Sequence, residues 1–318
     1  VWVSEYRWEA IAPLTDFALA TERMKIGSAI IPIYSRSATA LAMTAANLAQ
    51  LAPDRLLFGL GTSTDVIIEG WHGRKRERPL QAIREYIEAI RVVLASVPID
   101  GNRILEGEAV HFEGEIVTVD GFQLDRRVSG RVDLYAAALG EKMLQVAGQV
   151  ADGALLNLTP HGHLPKIRST VEEAAAEAGR DPGSVALCGD VLVAIAEGEE
   201  AAEIREEQRA EIAIYARQGP YSRFFSEAGF PKEAAAIRAA WERRDRDAAA
   251  AAVTDEMLDS IVVVGDADHV RERVEHLLGA GYDTLIAVPL SPRGGDPDVA
   301  ARLLIDVLAG IDTPRSVA

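Results

Sequence analysis

The stretch from Arg55 to Pro79, RLLFGLGTSTDVIIEGWHGRKRERP, collects residue types able to bind and hold a reacting group. An apolar run, Leu56 to Leu60, leads through Gly59 and Gly61 into the small polar residues Thr62, Ser63 and Thr64. A long loop follows, carrying Trp71, His72 and the cations Arg74, Lys75, Arg76 and Arg78. A strand whose C-terminal end opens into such a loop is how an α/β enzyme builds a cofactor mouth. Gly-x-Gly serves a plain tight turn as well, so the glycines alone do not decide the matter. Gly140-Glu141-Lys142 is a second candidate, because it stands where an apolar run meets a helix start. Backbone N–H groups there can hold a phosphate, with Lys142 adding favourable charge and Glu141 opposing it. A simple strand-to-helix turn would use Gly140 equally well.

Other chemistries find less support. His161-x-His163 lacks the carboxylate or further histidine of a metal site and reads as a pair of polar loop histidines. No Gly-x-Ser-x-Gly and no Gly-x-x-x-x-Gly-Lys-Ser/Thr is present, which disfavours a serine hydrolase and a phosphate-loop enzyme. A slot lined by small and apolar residues with a phosphate anchor suits a flat, phosphorylated cofactor. The 318 residues are 48% hydrophobic and 26% charged, the composition of an ordinary globular protein. A net charge of -16 argues against nucleic acid and against an anionic membrane surface. The single cysteine, Cys188, excludes an intramolecular disulfide and reads as a small buried residue within the apolar run Val185 to Ile195. No apolar stretch is long enough to span a membrane and no signal peptide precedes Val1, so the expected location is the cytoplasm.

The elements that position these residues alternate along the chain. Strands are expected over Val1 to Glu5, Lys25 to Ile33, Leu56 to Leu60, Val132 to Leu139, Ala154 to Leu158, Val185 to Ile195, Ile261 to Val264 and Thr284 to Leu290. Between them the spacing predicts helices over Pro13 to Arg23, Ser37 to Leu51, Leu80 to Ala95, Gly140 to Ala151 and Leu164 to Gly179. Two more run from Asp266 or Asp268 to Gly279 and Gly281, and from Val299 to Leu308. Such alternation means parallel β-α-β units, and their number suits a (β/α)8 TIM-type barrel. One domain over residues 1–318 is expected, with insertions at about 101–130 and 197–260. The first, with Ile104 to Asp125 alternating apolar and polar, reads as a β-hairpin; the second, acidic and alanine-rich, as a solvated helical excursion.

At these residues the chain resembles the bacterial luciferase-like monooxygenase superfamily, and within it the coenzyme F-420 (deazaflavin)-dependent oxidoreductases. The segments that carry the resemblance are VWVSEY, GSAIIPIYSRSATALAMTAANLAQLAPDRLLFGLGTS, EGWHG, VDLYAAALGEKMLQVAGQVADGALLN and VGDADHVRERVEHLLGAGYDTLIAVP, in the family's order. The resemblance implies hydride transfer between coenzyme F-420 (8-hydroxy-5-deazaflavin) and a small organic substrate. An FMN-dependent monooxygenase and a non-catalytic flavin-binding paralogue are the alternatives. It places the ring against Ala29 and Ile30, with Gly61, Thr62 and Ser63 at the ring or ribityl chain, and the phosphate at Gly140, Glu141 and Lys142. Glu5 and Tyr6 fall where the family keeps its proton-handling residues. Tyr6 stands where some members carry histidine, and Thr64 where some carry glutamate, so a sugar-phosphate substrate is disfavoured. A bulge with a non-proline cis peptide is implied at Ala29-Ile30. Members usually begin with one more strand and helix before VWVSE, so a gap or a substitute strand is expected there. Dimers are common in the family, which implies a homodimer.

Overall fold

A computed structural model of the chain describes residues 1–96, 99–100, 103–104, 109–125 and 128–311. The residues gather into two compact units. The first comprises Val1–Ala138, Lys142–Leu155 and Val171–Val185; the second comprises Leu139–Glu141, Leu156–Thr170 and the chain from Ala186 onward.

The chain opens with β1 (Trp2–Val3), α1 (Ile11–Ala20), β2 (Ile26–Ser28), β3 (Ile31–Pro32), α2 (Ala38–Leu51), β4 (Leu56–Gly61) and α3 (Pro79–Ala95). Short antiparallel pairs follow: β5 (Ile99–Asp100) with β6 (Arg103–Ile104), and β7 (Val110–Glu113) with β8 (Thr118–Phe122). Then come β9 (Val132–Ala137), α4 (Glu141–Val150) and β10 (Gly153–Leu156). In the first unit β1, β2, β4, β9 and β10 lie side by side, all parallel, and β3 adds to β4. Every residue of β4 is buried, as a strand covered on both faces requires. Ser37 caps α2, its Oγ accepting from the Ala40 N–H at 3.2 Å.

Differences from the sequence expectation have local causes. The run Lys25 to Ile33 is two short strands, because the backbone leaves the ladder at Ala29-Ile30, whose peptide bond is cis where the resemblance implies it. Helix α1 begins at Ile11 because the Glu9 carboxylate takes up the N–H groups of Ile11 and Ala12 at 2.8 and 2.7 Å. The loop expected after β4 contains a turn of π-helix over Val66–Trp71, anchored by the fully buried Ile68 and closed by His72 N–H to the Ile67 carbonyl. The hairpin expected in the first insertion is β7–β8; the part of that expectation on residues 105–108 lies outside the described residues.

The hairpin is held by one carboxylate. Glu85 on α3, 2% exposed, accepts from the N–H groups of Glu115, Ile116 and Val117 at 2.9, 2.7 and 2.8 Å and from Gln81 Nε2 at 2.6 Å. Burial alone would raise its pKa, but these hydrogen bonds win and hold it down at about 2.

After α5 (Leu164–Glu177), the chain runs into the long strand β11 (Ala186–Ile195) of the second unit. The insertion follows as α6 (Gly198–Ala216), α7 (Gly219–Glu227), α8 (Pro231–Glu242), α9 (Arg246–Ala251) and α10 (Asp255–Asp259). Last are β12 (Val262–Gly265), α11 (Ala267–Ala280), β13 (Thr284–Pro289) and α12 (Pro297–Leu308). Strand β11 pairs in parallel with β12 over Leu192–Ile195 and with β13 over Cys188–Val193. Cys188 is fully buried. His161 departs from the polar-loop reading: it is 8% exposed, and burial, with Arg273 nearby, pushes its pKa down to about 4.

Candidate active site

The strand ends of the first unit are tied to one another by the backbone. Ala29 N–H donates to the Val3 carbonyl at 2.9 Å, Ser4 Oγ to the Ala29 carbonyl at 2.8 Å and Glu5 N–H to the Ile30 carbonyl at 3.3 Å. Ser28, fully buried, donates to the Gly59 carbonyl at 2.9 Å and accepts from its N–H at 2.8 Å. Strand β4 must be glycine here, since a Cβ on Gly59 would stand 1.9 Å from the Ser28 carbonyl oxygen. A Cβ on Gly61 would likewise meet Ile30 Cδ1 at 2.8 Å and Ala137 Cβ at 3.0 Å. Ala29, Ile30, Gly61 and Ala137 therefore build a surface of small and apolar groups.

Polar side chains border it. Arg36 binds Glu5 with both guanidinium nitrogens, Nη1 to Oε1 at 2.5 Å and Nη2 to Oε2 at 3.1 Å. The Ala10 N–H adds a third donor to Glu5 at 3.1 Å, and the Glu5 side chain is 10% exposed. Such a bidentate pair fixes both partners in one orientation. Thr62, buried, is clamped by Arg76, whose Nε donates to the Thr62 carbonyl at 3.0 Å and whose Nη2 donates to its Oγ1 at 3.1 Å. Ser63 follows in the left-handed region at φ 52. Tyr6 is half exposed, its ring 5.2 Å from that of Trp71, with the Arg7 guanidinium 5.2 Å from the Tyr6 centroid. Tyr34 donates to the Glu77 carbonyl at 2.7 Å, and burial pushes its phenol up to about 12.

The Gly140-Glu141-Lys142 segment is a separate feature at the start of α4. Gly140 has φ 77, and a Cβ there would meet nothing within 4 Å, so its front is open. Glu141 and Lys142 are exposed in the first turn. An open approach to the N–H groups of a helix's first turn is what a phosphate needs.

Glu5, Ala29, Ile30 and Gly61 are thus brought into direct contact, with Thr62 and Ser63 continuing the same strand end and Tyr6 turned toward Trp71. Arg36, which stands among no other charges in the sequence, is tied to Glu5. Arg76 stands in the sequence as one cation of a cluster, and its grip on Thr62 is not visible there. No short-range spacing signals either contact.

A family model described as luciferase-like monooxygenase matches residues 1–284. The chain is 27% identical over 307 residues to a 5,10-methylenetetrahydromethanopterin reductase of Methanolobus tindarius, covering 96% of this chain and 89% of that one. A solved structure of coenzyme F-420 dependent tetrahydromethanopterin reductase from Methanopyrus kandleri is similar at TM-score 0.72 and 25% identity, over 95% of this chain and 88% of that one. An F-420-dependent secondary alcohol dehydrogenase in complex with an F-420–acetone adduct is similar in fold at TM-score 0.73 and 18% identity, over 99% and 90% of the two chains. The α/β fold of parallel strands and helices is the TIM-barrel class expected from the sequence.

Proposed function

The chain belongs to the luciferase-like monooxygenase family and is an oxidoreductase of its deazaflavin- or flavin-dependent kind, and from that premise we propose that it uses coenzyme F-420 to move a hydride to or from a small organic substrate. The observation that supports this reading is the apolar patch in which Ile30 and Ala137 pack over Gly61 beside the small Ala29, a surface against which a flat ring can stack. Bound there, the deazaflavin would supply a ring that accepts or donates a hydride. In this reading Ala29, Ile30 and Gly61 support the ring face, while Thr62 and Ser63 meet the ring edge or ribityl chain. The N–H groups at Gly140, Glu141 and Lys142 hold the phosphate. Arg76 keeps Thr62 in place. Glu5 and Tyr6 are assigned to proton handling. Glu5, fixed by Arg36, sets the local charge, and the exposed Tyr6 phenol exchanges the proton.

Absorbance titration with coenzyme F-420 and with FMN, at matched ionic strength, tests the reading. Tighter deazaflavin binding is expected, followed by turnover of the bound cofactor with a small organic substrate. Tighter FMN binding with oxygen-dependent turnover would instead make the protein a flavin monooxygenase, and binding of either without turnover a non-catalytic paralogue.

A further inference from the structure

The helical insertion of the second unit leaves one helix face uncovered by any described residue. Helix α6 buries Ile204, Ile212, Ala213 and Ala216. At about 100° per residue, its opposite side carries Glu199, Glu203, Glu206, Ala210, Ile214 and, just past the helix, Arg217, and every one of them is exposed. Read from the N-terminal end, that stripe is acidic, then small and apolar, then basic. Ile214 is 38% exposed, an aliphatic side chain left in solvent between the two charged ends.

The basic end is reinforced from outside the helix. Trp241 of α8 donates its indole N–H to the Ala213 carbonyl at 2.8 Å, which holds the ring at the end of α6. The Arg217 guanidinium lies 5.0 Å from the centre of that ring, and the guanidinium of Arg246, the first residue of α9, lies 5.9 Å from it. Two cations are thus gathered at one indole, and neither forms an ion pair with a described residue. Glu199 and Glu203 have no ion pair among the described residues either. Arg205 and Arg209, by contrast, are satisfied at the flank of the helix by Asp255 and Asp259 of α10. The helix dipole favours acids in the first turn and a cation at the last, which accounts for Glu199 and Arg217. It does not account for Glu203 and Glu206, further along, or for Arg246, which another helix supplies.

We propose that this stripe is a contact between two copies of the chain, with α6 lying antiparallel to α6 of the partner across a two-fold axis that passes Ala210. The spacing makes the stripe complementary to itself. Glu203 and Arg217 stand seven residues either side of Ala210, so the axis sets Glu203 of each copy beside Arg217 of the other. Glu199 and Glu206 flank that pair on the acidic side, and Arg246 adds to it on the basic side. Ala210 is the smallest side chain of the stripe and falls at the axis, where two helices about 8–10 Å apart come closest. Ile214 gains apolar cover from the partner helix. One helix pair is a small contact beside the roughly 1,000 Å² of a stable interface, and exposed ion pairs are individually weak. The association is therefore dependent on concentration and sensitive to salt.

Sedimentation velocity of the whole chain over a dilution series, at about 50 and about 500 mM sodium chloride, reads the association. The dissociation constant of the unaltered protein should rise about tenfold or more at the higher salt. Arg217→Glu and Glu203→Arg should each weaken association by about tenfold or more, because each sets like charges face to face. The double variant exchanges the two charges and should restore the contact. A general effect of net charge gives a different pattern, since Glu203→Arg makes this acidic chain less negative and would then strengthen association. Ala210→Cys should cross-link two copies on mild oxidation, whereas Glu275→Cys on α11 should not; Cys188 is fully buried and gives no background. If another face already pairs the chain, the same step reads from dimer to tetramer and the same variants decide it. Circular dichroism checks that each variant is folded, and the cross-link stands in for any that is not. A mass indifferent to dilution and salt, unchanged association in both single variants, no restoration in the double variant, or no cross-link at Ala210→Cys would overturn the proposal.

Discussion

Glu85 and Asp190 are both carboxylates withdrawn from solvent, one in each compact unit, and they have been treated in opposite ways. Glu85 has four donors aimed at two oxygens and is held at about 2. Asp190 has none among the described residues, and burial raises it to about 7. The first is a fastener whose charge is consumed by the fold. The second leaves its hydrogen-bonding capacity unspent, at a standing cost in stability. Burial alone therefore says little about what an acid does; the count of its partners says more.

The contrast has its strongest test in Glu85→Ala, which strands one buried and two part-buried N–H groups of the hairpin turn. A loss of about 3–5 kcal/mol is expected in urea unfolding. The pH dependence follows, because the folded pKa lies below the ordinary 4.5. Stability from Glu85 is complete above 4.5 and is lost as pH falls toward about 2, and the alanine variant should lack that acid-side slope. Asp190→Asn should move the other way. Its folded pKa is raised from 3.8, so the unaltered protein loses stability as pH rises from there through about 7. The amide should gain on the order of 2–4 kcal/mol above that range and nothing below it. Absence of any gain at high pH would mean that Asp190 is not held at a cost.

Glu5 lies between these extremes, and its pair with Arg36 can be broken. Arg36→Met should cost about 2–3 kcal/mol, because it leaves a mostly buried carboxylate with one donor. Arg36→Lys should recover only part, since an ammonium cannot make the two-pronged contact. Chemical unfolding of both variants would show it. The smallest stability effect belongs to Gly140. Gly140→Val should cost about 1 kcal/mol or more for a side chain at positive φ, and should weaken coenzyme F-420 binding by about tenfold. Gly140→Asn tolerates that conformation better, so it should recover stability without recovering affinity. Unchanged affinity in both would remove the start of α4 from cofactor binding.

The sequence carries the strand and helix alternation, the Leu56 run ending in glycines and the interruption at Ala29-Ile30, because each is written in local pattern or in a resemblance that spans the chain. What it conceals is carried by contacts between distant residues. Glu5 and Arg36 are 31 residues apart, and nothing in either neighbourhood announces the other. Glu85 sits beside the apolar stripe of α3, where a charged residue reads as solvated. Asp190 is hidden inside an apolar run that periodicity reads as a buried strand. The π-helical turn at Val66–Trp71 is obscured by three β-branched residues in succession, which weigh against any helix.

The way Glu85 holds its hairpin also bears on how this protein can be altered. Its grip falls on main-chain N–H groups, which every residue but proline provides, so the identities of Glu115, Ile116 and Val117 are nearly free as far as that attachment is concerned. Gly114 is the exception, since a Cβ there would come within 2.3 Å of the Glu85 carboxylate. Evolution, or an engineer grafting a foreign loop, can therefore rewrite the tip of this hairpin while keeping two letters, a glutamate on the helix and a glycine at the turn.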